Sequence, residues 1–133
     1  MVNKSAAYSL MELLLVLVLV SITLAMVVPT WRQHQLAAGR QEAWLALQRL
    51  GLQEQMWQLQ HGHYLGDIEL LKPALEDRRY GYQIQLSEEG FLLSATVNAS
   101  GPQRHDKRCW QLTLSDTGEV KSLSKEGEIQ VCN

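Results

Sequence analysis

An apolar run near the N-terminus constrains this chain more than any other feature. Residues 13–28 read LLLVLVLVSITLAMVV and contain no charged side chain. The run extends back to Leu10 if Glu12 is tolerated. A helix over residues 8–28 would be about 31 Å long, close to the hydrocarbon thickness of a bilayer. Lys4 precedes the run, so we expect a membrane-spanning helix with a cytoplasmic N-terminus and the rest of the chain outside.

Two simpler interpretations of this run are a cleaved secretory signal peptide and an ordinary signal anchor. The run is long for a signal peptide, and the residues that follow it, VVPTW, contain no small-x-small cleavage site. Glu12 argues against a plain anchor, because a carboxylate inside an apolar run costs roughly 2.5–3.5 kcal/mol. A cation would offset that cost, but the run itself has no Lys or Arg.

Cleavage between Ala7 and Tyr8 would supply the missing cation. It creates an α-amino group four residues before Glu12. In a packed array, the amine of one subunit would neutralise the carboxylate of its neighbour. Because either buried charge is costly alone, such a pair would set the register of the subunits. We therefore expect Glu12 to act in assembly.

The N-terminal sequence AYSLME over residues 7–12, followed by the apolar run, resembles the class III prepilin signal of type IV pilins and type II secretion pseudopilins. That pattern has a short basic leader, a small residue, an aromatic residue and a glutamate at the fifth mature position. With Tyr8 as the first mature residue, Glu12 is the fifth. Pro29 then stands where pilins often carry a helix-kinking proline. Alanine replaces the usual glycine at position 7, and tyrosine the usual phenylalanine at position 8.

The resemblance implies how the chain is processed. Residues 1–7 would be the leader peptide, residues 8–29 the half of the helix that lies in the membrane and then in the filament core, and residues 30–133 the pilin head domain. The inner-membrane prepilin peptidase would cut between Ala7 and Tyr8 and N-methylate Tyr8. The inner-membrane pilus assembly machinery and other pilin subunits would be its further partners.

The helical pattern continues past Pro29, where we expect a kink or a local opening of the helix. At 100° per residue, one face carries Leu36, Ala43, Leu47, Leu50 and Trp57, and the opposite face carries Leu45, Leu52, Met56 and Leu59. We expect the first face to pack on a sheet of the same domain, with Glu54 reaching its rim. The second face either contacts other subunits or is also buried within the domain.

The stretch His61 to Gly66 is expected to end the helix with a glycine cap, and it resembles the helix end of PilE-type pilins. A metal site at His61 and His63 is the alternative that we favour less. A short helical turn over 68–71 and a break at Pro73 follow. Alternating apolar residues then predict strands over 80–86, 91–97, 110–114 and 119–123, with turns at 87–90 and 116–118.

These elements predict an α+β fold, in which one long helix covers the apolar face of a three- or four-stranded antiparallel meander. This layout also matches the type IV pilin fold that the N-terminus suggests. Cys109 and Cys132 would lie in an oxidising compartment, and their spacing is not that of a CxxC motif. We expect a disulfide that holds the C-terminus to the third strand and stabilises the domain by roughly 3 kcal/mol.

The disulfide also bears on the subfamily. Type IV pilins typically have a C-terminal disulfide-bounded region, whereas major pseudopilins usually lack it and often bind calcium instead. The alternative calcium ligands would be Asp116, Glu119, Glu126 and Glu128, but they do not form a dense oxygen-ligand pattern. We therefore expect no metal and no cofactor.

A polar loop over residues 100–108 carries three cations, Arg104, Lys107 and Arg108, which would contact DNA if the chain resembled DNA-capturing competence pilins. We favour an ordinary solvated loop, because Asp106 lowers the local charge and no aromatic residue is interleaved for base stacking. Arg78 and Arg79 precede the first strand and are candidates to lie near this loop. The net charge of −2, from 12 basic and 14 acidic residues, gives no global case for nucleic acid.

No motif of a common enzyme class is present, and the four histidines, at 34, 61, 63 and 105, have no evident catalytic partners. We therefore expect a structural protein, a minor pilin of a bacterial type IV pilus. It would cross the inner membrane once, with a periplasmic head, and join a cell-surface pilus after assembly. A type II secretion pseudopilin and a DNA-binding competence pilin are the alternatives.

Overall fold

The computed structural model describes residues 9–71, 78–88 and 90–132. Contacts within the chain divide it into two units, one ending at Gln35 and the other beginning at Leu36. We call the second unit the head. Helix α1 (Leu10–His61) contributes residues to both units.

In the first unit, helix α1 begins directly after Ser9. The Ser9 carbonyl accepts hydrogen bonds from the backbone N–H groups of Glu12 and Leu13, at 2.9 and 3.2 Å. Pro29 lies inside this helix, and the kink or local opening expected there stays a prediction. By length and composition, α1 is apolar and long enough to cross a membrane.

In the head, helix α1 has one buried and one exposed apolar face. Ala43, Leu47 and Leu50 are at most 2% exposed, as expected for the face that packs on the sheet. The opposite face is exposed: Leu45 by 52%, Leu52 by 60%, Met56 by 59% and Leu59 by 85%. The alternative in which both faces are buried within one domain is therefore wrong.

A glycine ends the helix, as expected. Gly62 has a φ of +78°, a left-handed conformation that a residue without Cβ adopts at little cost. Its N–H donates to the carbonyl of Gln58 at 2.7 Å. The predicted helical turn is present as α2 (Ile68–Leu71). The break expected at Pro73 lies outside the described residues.

The sheet is an antiparallel meander in the order β1-β2-β3-β4-β5. Its strands are β1 (Tyr80–Leu86), β2 (Phe91–Val97), β3 (Gln111–Ser115), β4 (Val120–Leu123) and β5 (Ile129–Gln130). The first four strands were expected, within one residue at both ends of β3 and at the start of β4. The fifth was not, because two residues are too few to show an alternating pattern.

Apolar side chains from the helix and the sheet form one core. Tyr80, Phe91, Leu93, Leu112 and Leu114 from the strands pack with the buried face of α1. Each fully buried side chain of this size contributes roughly 1.5–3 kcal/mol. The α+β class and the helix-on-sheet arrangement are therefore confirmed.

The predicted disulfide between Cys109 and Cys132 is also present, with 6.0 Å between the two Cα atoms. Cys109 is 1% exposed, just before β3. The bridge therefore ties the residues after β5 to the beginning of β3.

Candidate assembly surfaces

Glu12 lies in the first turn of α1, at the start of a long exposed apolar surface. Every large apolar side chain from residue 10 to residue 28 is at least 47% exposed. In the part of the chain that the structure describes, no hydrogen bond or ion pair engages the Glu12 carboxylate. Ala7 and Tyr8, between which cleavage is predicted, lie outside that part. An apolar surface of this extent marks a site that lipid or protein must cover.

Polar side chains inside the apolar run bond to the helix itself. The hydroxyl of Ser21 donates to the carbonyl of Leu17 at 2.7 Å, and that of Thr23 donates to the carbonyl of Val20 at 2.8 Å. Hydroxyls satisfied in this way do not need water. Glu12 is therefore the residue of this surface whose polar group still needs a partner.

The second surface is the exposed face of α1 in the head, which comprises Leu45, Leu52, Met56 and Leu59. These positions follow the helical repeat and form one stripe along the helix. Charged and polar residues flank the stripe on both sides of the helix surface, as is typical of a helix that contacts a partner.

The third surface is the basic loop between β2 and β3. Pro102–His105 form a 3₁₀ turn, and Arg104, Lys107 and Arg108 are exposed around it. The backbone next to Arg78 and Arg79 lies alongside, because the Asn98 N–H donates to the Arg79 carbonyl at 2.8 Å. The structure thus brings the two basic segments together. Arg79 itself forms an ion pair with Glu42.

Asp106 is not a solvated loop residue, contrary to expectation. It is 3% exposed, and its carboxylate forms a bidentate ion pair with Arg40 of α1. Arg40 donates from Nε to Oδ2 at 2.7 Å and from Nη2 to Oδ1 at 2.9 Å. The hydrogen bonds to Asp106 raise the pKa of Arg40 above its ordinary value, although burial acts in the opposite direction.

Gln103 joins Asp106 in holding this loop on the helix. Its side-chain amide is buried, and Nε2 donates to the Leu36 carbonyl at 2.8 Å and to Asp106 Oδ2 at 3.1 Å. A Cβ at Gly39 would collide with the Gln103 amide, so the close approach depends on glycine there. Because Arg40 neutralises Asp106, the loop presents its cations to solvent without an exposed counter-charge from Asp106.

Glu54 is the second residue whose environment differs from expectation. It is fully buried rather than placed at the rim of the helix face. Its carboxylate accepts hydrogen bonds from the backbone N–H groups of Leu65 and Gly66, at 2.9 and 3.1 Å. Glu54 therefore fixes the chain that follows α1. The position of Glu54 four residues after Leu50, on the inward face, was the sequence signal for its burial.

The structure separates the residues considered as metal ligands. The turn that carries Asp116 and Glu119 precedes β4, and the turn that carries Glu126 follows it, so the two lie at opposite ends of that strand. Glu119 pairs instead with Lys121, at 3.0 Å. Among residues 9–71, 78–88 and 90–132, no three His, Cys, Asp or Glu side chains are placed to hold a metal ion.

Two histidines near the end of α1 form a cluster of rings with a tryptophan. The rings of Trp57 and His61 stack, with centroids 3.9 Å apart and an angle of 17° between their planes. His63 lies edge-on to His61, with 6.3 Å between the ring centroids. These contacts give both histidines a packing role.

No protein-family model matches the sequence, and no curated protein sequence matches it significantly.

Proposed function

We propose that this chain is a structural subunit, of the minor-pilin kind, of a bacterial type IV pilus. The observation that carries the proposal is Glu12, a carboxylate without a partner at the start of an exposed apolar helix. An anchor that only holds a domain at a membrane would be more stable without that carboxylate. A filament subunit needs it if the terminal amine of a neighbour supplies the opposite charge.

In this proposal, the same apolar helix serves in two environments. Before assembly it lies in the inner membrane, with the head in the periplasm, where the disulfide can form. During assembly the helix leaves the lipid and packs among the helices of other subunits. The exposed stripe on α1 adds contacts between subunits outside the apolar core.

The disulfide favours a pilin over a type II secretion pseudopilin, the other protein class with this N-terminal signal. The Cys109–Cys132 bridge encloses β3, β4 and β5, as expected for the disulfide-bounded region of a pilin. The carboxylates that were considered for calcium are divided between two ends of the sheet. Both observations support a head held by covalent rather than metal cross-linking.

Cell fractionation tests the proposal. Wild type, Glu12→Ala and a matched control, Ser21→Ala, are expressed in the native host, and the protein is measured in the membrane and in the sheared surface fraction. We expect wild type and Ser21→Ala in both fractions and Glu12→Ala in the membrane alone. Absence of wild type from the sheared fraction, or normal recovery of Glu12→Ala there, would overturn the proposal.

A further inference from the structure

The sheet sorts the charged loops of the head into two groups. The strand pairs Tyr80–Val97 and Gln111–Leu123 lie at one end of the sheet, and the pairs Leu86–Phe91 and Leu114–Val120 lie at the other. Connections before β1, between β2 and β3 and between β4 and β5 therefore share the first end. The turns between β1 and β2 and between β3 and β4 share the second.

The first group of loops, which we call the basic end, carries five exposed cations among its described residues: Arg78, Arg104, Lys107, Arg108 and Lys125. The Lys125 N–H donates to the Lys107 carbonyl at 2.9 Å, which brings the β4–β5 turn against the basic loop. Among the described residues of these loops, two carboxylates, Glu126 and Glu128, are exposed, and the exposed Glu42 of α1 pairs with Arg79. Asp106 does not reduce the exposed positive charge, because it is buried against Arg40.

The second group, which we call the acidic end, carries five carboxylates in the part of the chain that the structure describes: Asp67, Glu69, Glu88, Asp116 and Glu119. The segment after α1 belongs here, because Gly66 closely approaches the side chain of Leu86. The side chain of Gln55 also reaches this end and donates to the Asp116 carbonyl at 3.3 Å. Within the described residues, the loops of this end contain no Lys or Arg; Lys121, which pairs with Glu119, lies on β4.

We propose that neighbouring copies join head to tail, with the basic end of one head against the acidic end of the next. The occupant of each surface is thus a second copy of this chain. The inference rests on the proposed filament function, because insertion in one membrane gives all copies the same orientation. Copies in the same orientation can bring these unlike ends together only by a heterologous contact, which builds an open filament when its rotation does not close a ring.

The charges set the order and register of the copies rather than the strength of the filament. Exposed ion pairs are screened by salt and add little affinity each. Complementary charges do, however, penalise misaligned contacts that place like charges together. The apolar helix surface supplies the main attraction, and the charged ends select which alignment of two heads is allowed.

Other occupants of the basic end would require that end alone, whereas a second copy requires both ends. Phosphates of a nucleic acid or of lipid headgroups would use the basic end alone. A second copy uses both ends. Reversing the charges of both ends together therefore distinguishes these occupants, because it restores complementarity between copies but not affinity for phosphate.

The experiment compares three full-length variants in the native host. One reverses the basic end (Arg104→Glu, Lys107→Glu, Arg108→Glu), one reverses the acidic end (Glu69→Lys, Glu88→Lys, Glu119→Lys), and one combines all six changes. Arg49→Glu, an exposed reversal on α1, is the control. Equal amounts of oxidised protein in the membrane fraction show that each variant folds.

We expect each single-end variant to fall by about tenfold or more in the sheared fraction, since like charges then meet at the contact. The combined variant and Arg49→Glu should recover to near wild-type amounts. If wild type assembles and the single-end variants assemble equally well, the inference is wrong although the proposed function stands. A loss that the combined variant does not rescue also overturns it. Absence of wild type from the sheared fraction overturns the proposed function.

A chemical cross-link provides a second, independent readout. A carbodiimide joins a lysine amine to a carboxylate only where the two touch, so we expect links from Lys107 or Lys125 to Glu88 or Glu119 in sheared wild-type filaments. Within one head these groups are separated by the length of a strand, about 15–20 Å. Such links must therefore join two copies, and their absence from assembled filaments would contradict the head-to-tail contact.

Discussion

Arg40 of helix α1 and Asp106 of the loop before β3 form a bidentate ion pair, although they are 66 residues apart in the sequence. The two hydrogen bonds of this pair measure 2.7 and 2.9 Å. Asp106 also accepts a hydrogen bond from the Cys109 N–H at 3.3 Å. The pair thus connects the helix, the basic loop and the disulfide. It anchors on the helix the loop that carries the exposed cations.

Removing either partner of this pair should destabilise the head. Asp106→Ala leaves the mostly buried Arg40 guanidinium without its counter-charge, and we expect the free energy of unfolding to fall by about 3 kcal/mol. Chemical denaturation of the full chain in detergent measures this change in the free energy of unfolding. Because the pKa of Arg40 is raised, the guanidinium stays charged at ordinary pH, and the stabilisation linked to its ionisation is lost as the pH rises through that raised pKa.

A double-mutant cycle with Arg40→Ala, Asp106→Ala and the double variant isolates the interaction. The exposed pair of Lys121 and Glu119 is the matched control, since pairs of that kind contribute about 1 kcal/mol or less. Additive effects of Arg40→Ala and Asp106→Ala would show that the pair does not couple the loop to the helix.

Two glycines of α1 should respond in opposite directions to alanine. Gly39→Ala places a methyl group against the buried Gln103 amide, and we expect a loss of about 1–2 kcal/mol. At Gly51 the nearest atom to a new Cβ is Leu114 Cδ2 at 3.4 Å, an ordinary contact. Gly51→Ala should therefore stabilise the helix by up to about 1 kcal/mol. Thermal or chemical unfolding of the two variants measures both changes in stability. Stabilisation by Gly39→Ala would contradict the packing of Gln103.

Loss of the disulfide should loosen the end of the sheet first. Replacing Cys109 and Cys132 together by alanine removes a link across 23 residues, which corresponds to about 3 kcal/mol in the chain-entropy model. Hydrogen exchange at the amides of β5 should accelerate more than exchange at β2, which lies inside the sheet. Equal acceleration of both strands would mean that the bridge does not act locally on β5.

Substitutions on the exposed stripe of α1 should lower assembly without lowering stability, whereas substitutions on its buried face should lower the stability of the head. Leu52→Gln with Met56→Gln should change the stability of the head by about 0.5 kcal/mol or less, because both side chains are exposed, while lowering the amount of assembled protein. Leu47→Ala should cost about 2–5 kcal/mol, because it leaves a cavity in the core. Unfolding and sheared-fraction measurements on the same variants separate these effects. Normal assembly of the Leu52 and Met56 variant would exclude the stripe as a contact between subunits.

Local patterns were sufficient to predict the main elements. The two faces of α1, the cap at Gly62 and the first four strands each follow from residues close in sequence. The pairing of Cys109 with Cys132 follows from there being two cysteines and an expected oxidising compartment.

The parts that sequence did not predict depend on distant partners. Asp106 was interpreted as solvated because Arg40 lies 66 residues away and no local pattern indicates their pairing. Burial of Glu54 likewise depends on the backbone N–H groups of Leu65 and Gly66, which become donors to it only when the chain turns back after α1. The sorting of charges between two ends became visible only with the strand register.

The mature N-terminus is the measurement that tests the pilin proposal most directly. Mass spectrometry of wild-type protein from the sheared surface fraction should find a chain that begins at an N-methylated Tyr8, with the leader over residues 1–7 removed. The new amine would then stand four residues before Glu12, as the proposed charge pairing between subunits requires. A chain that keeps Met1 and stays in the membrane, or one that is cut near residue 28, would contradict the proposal.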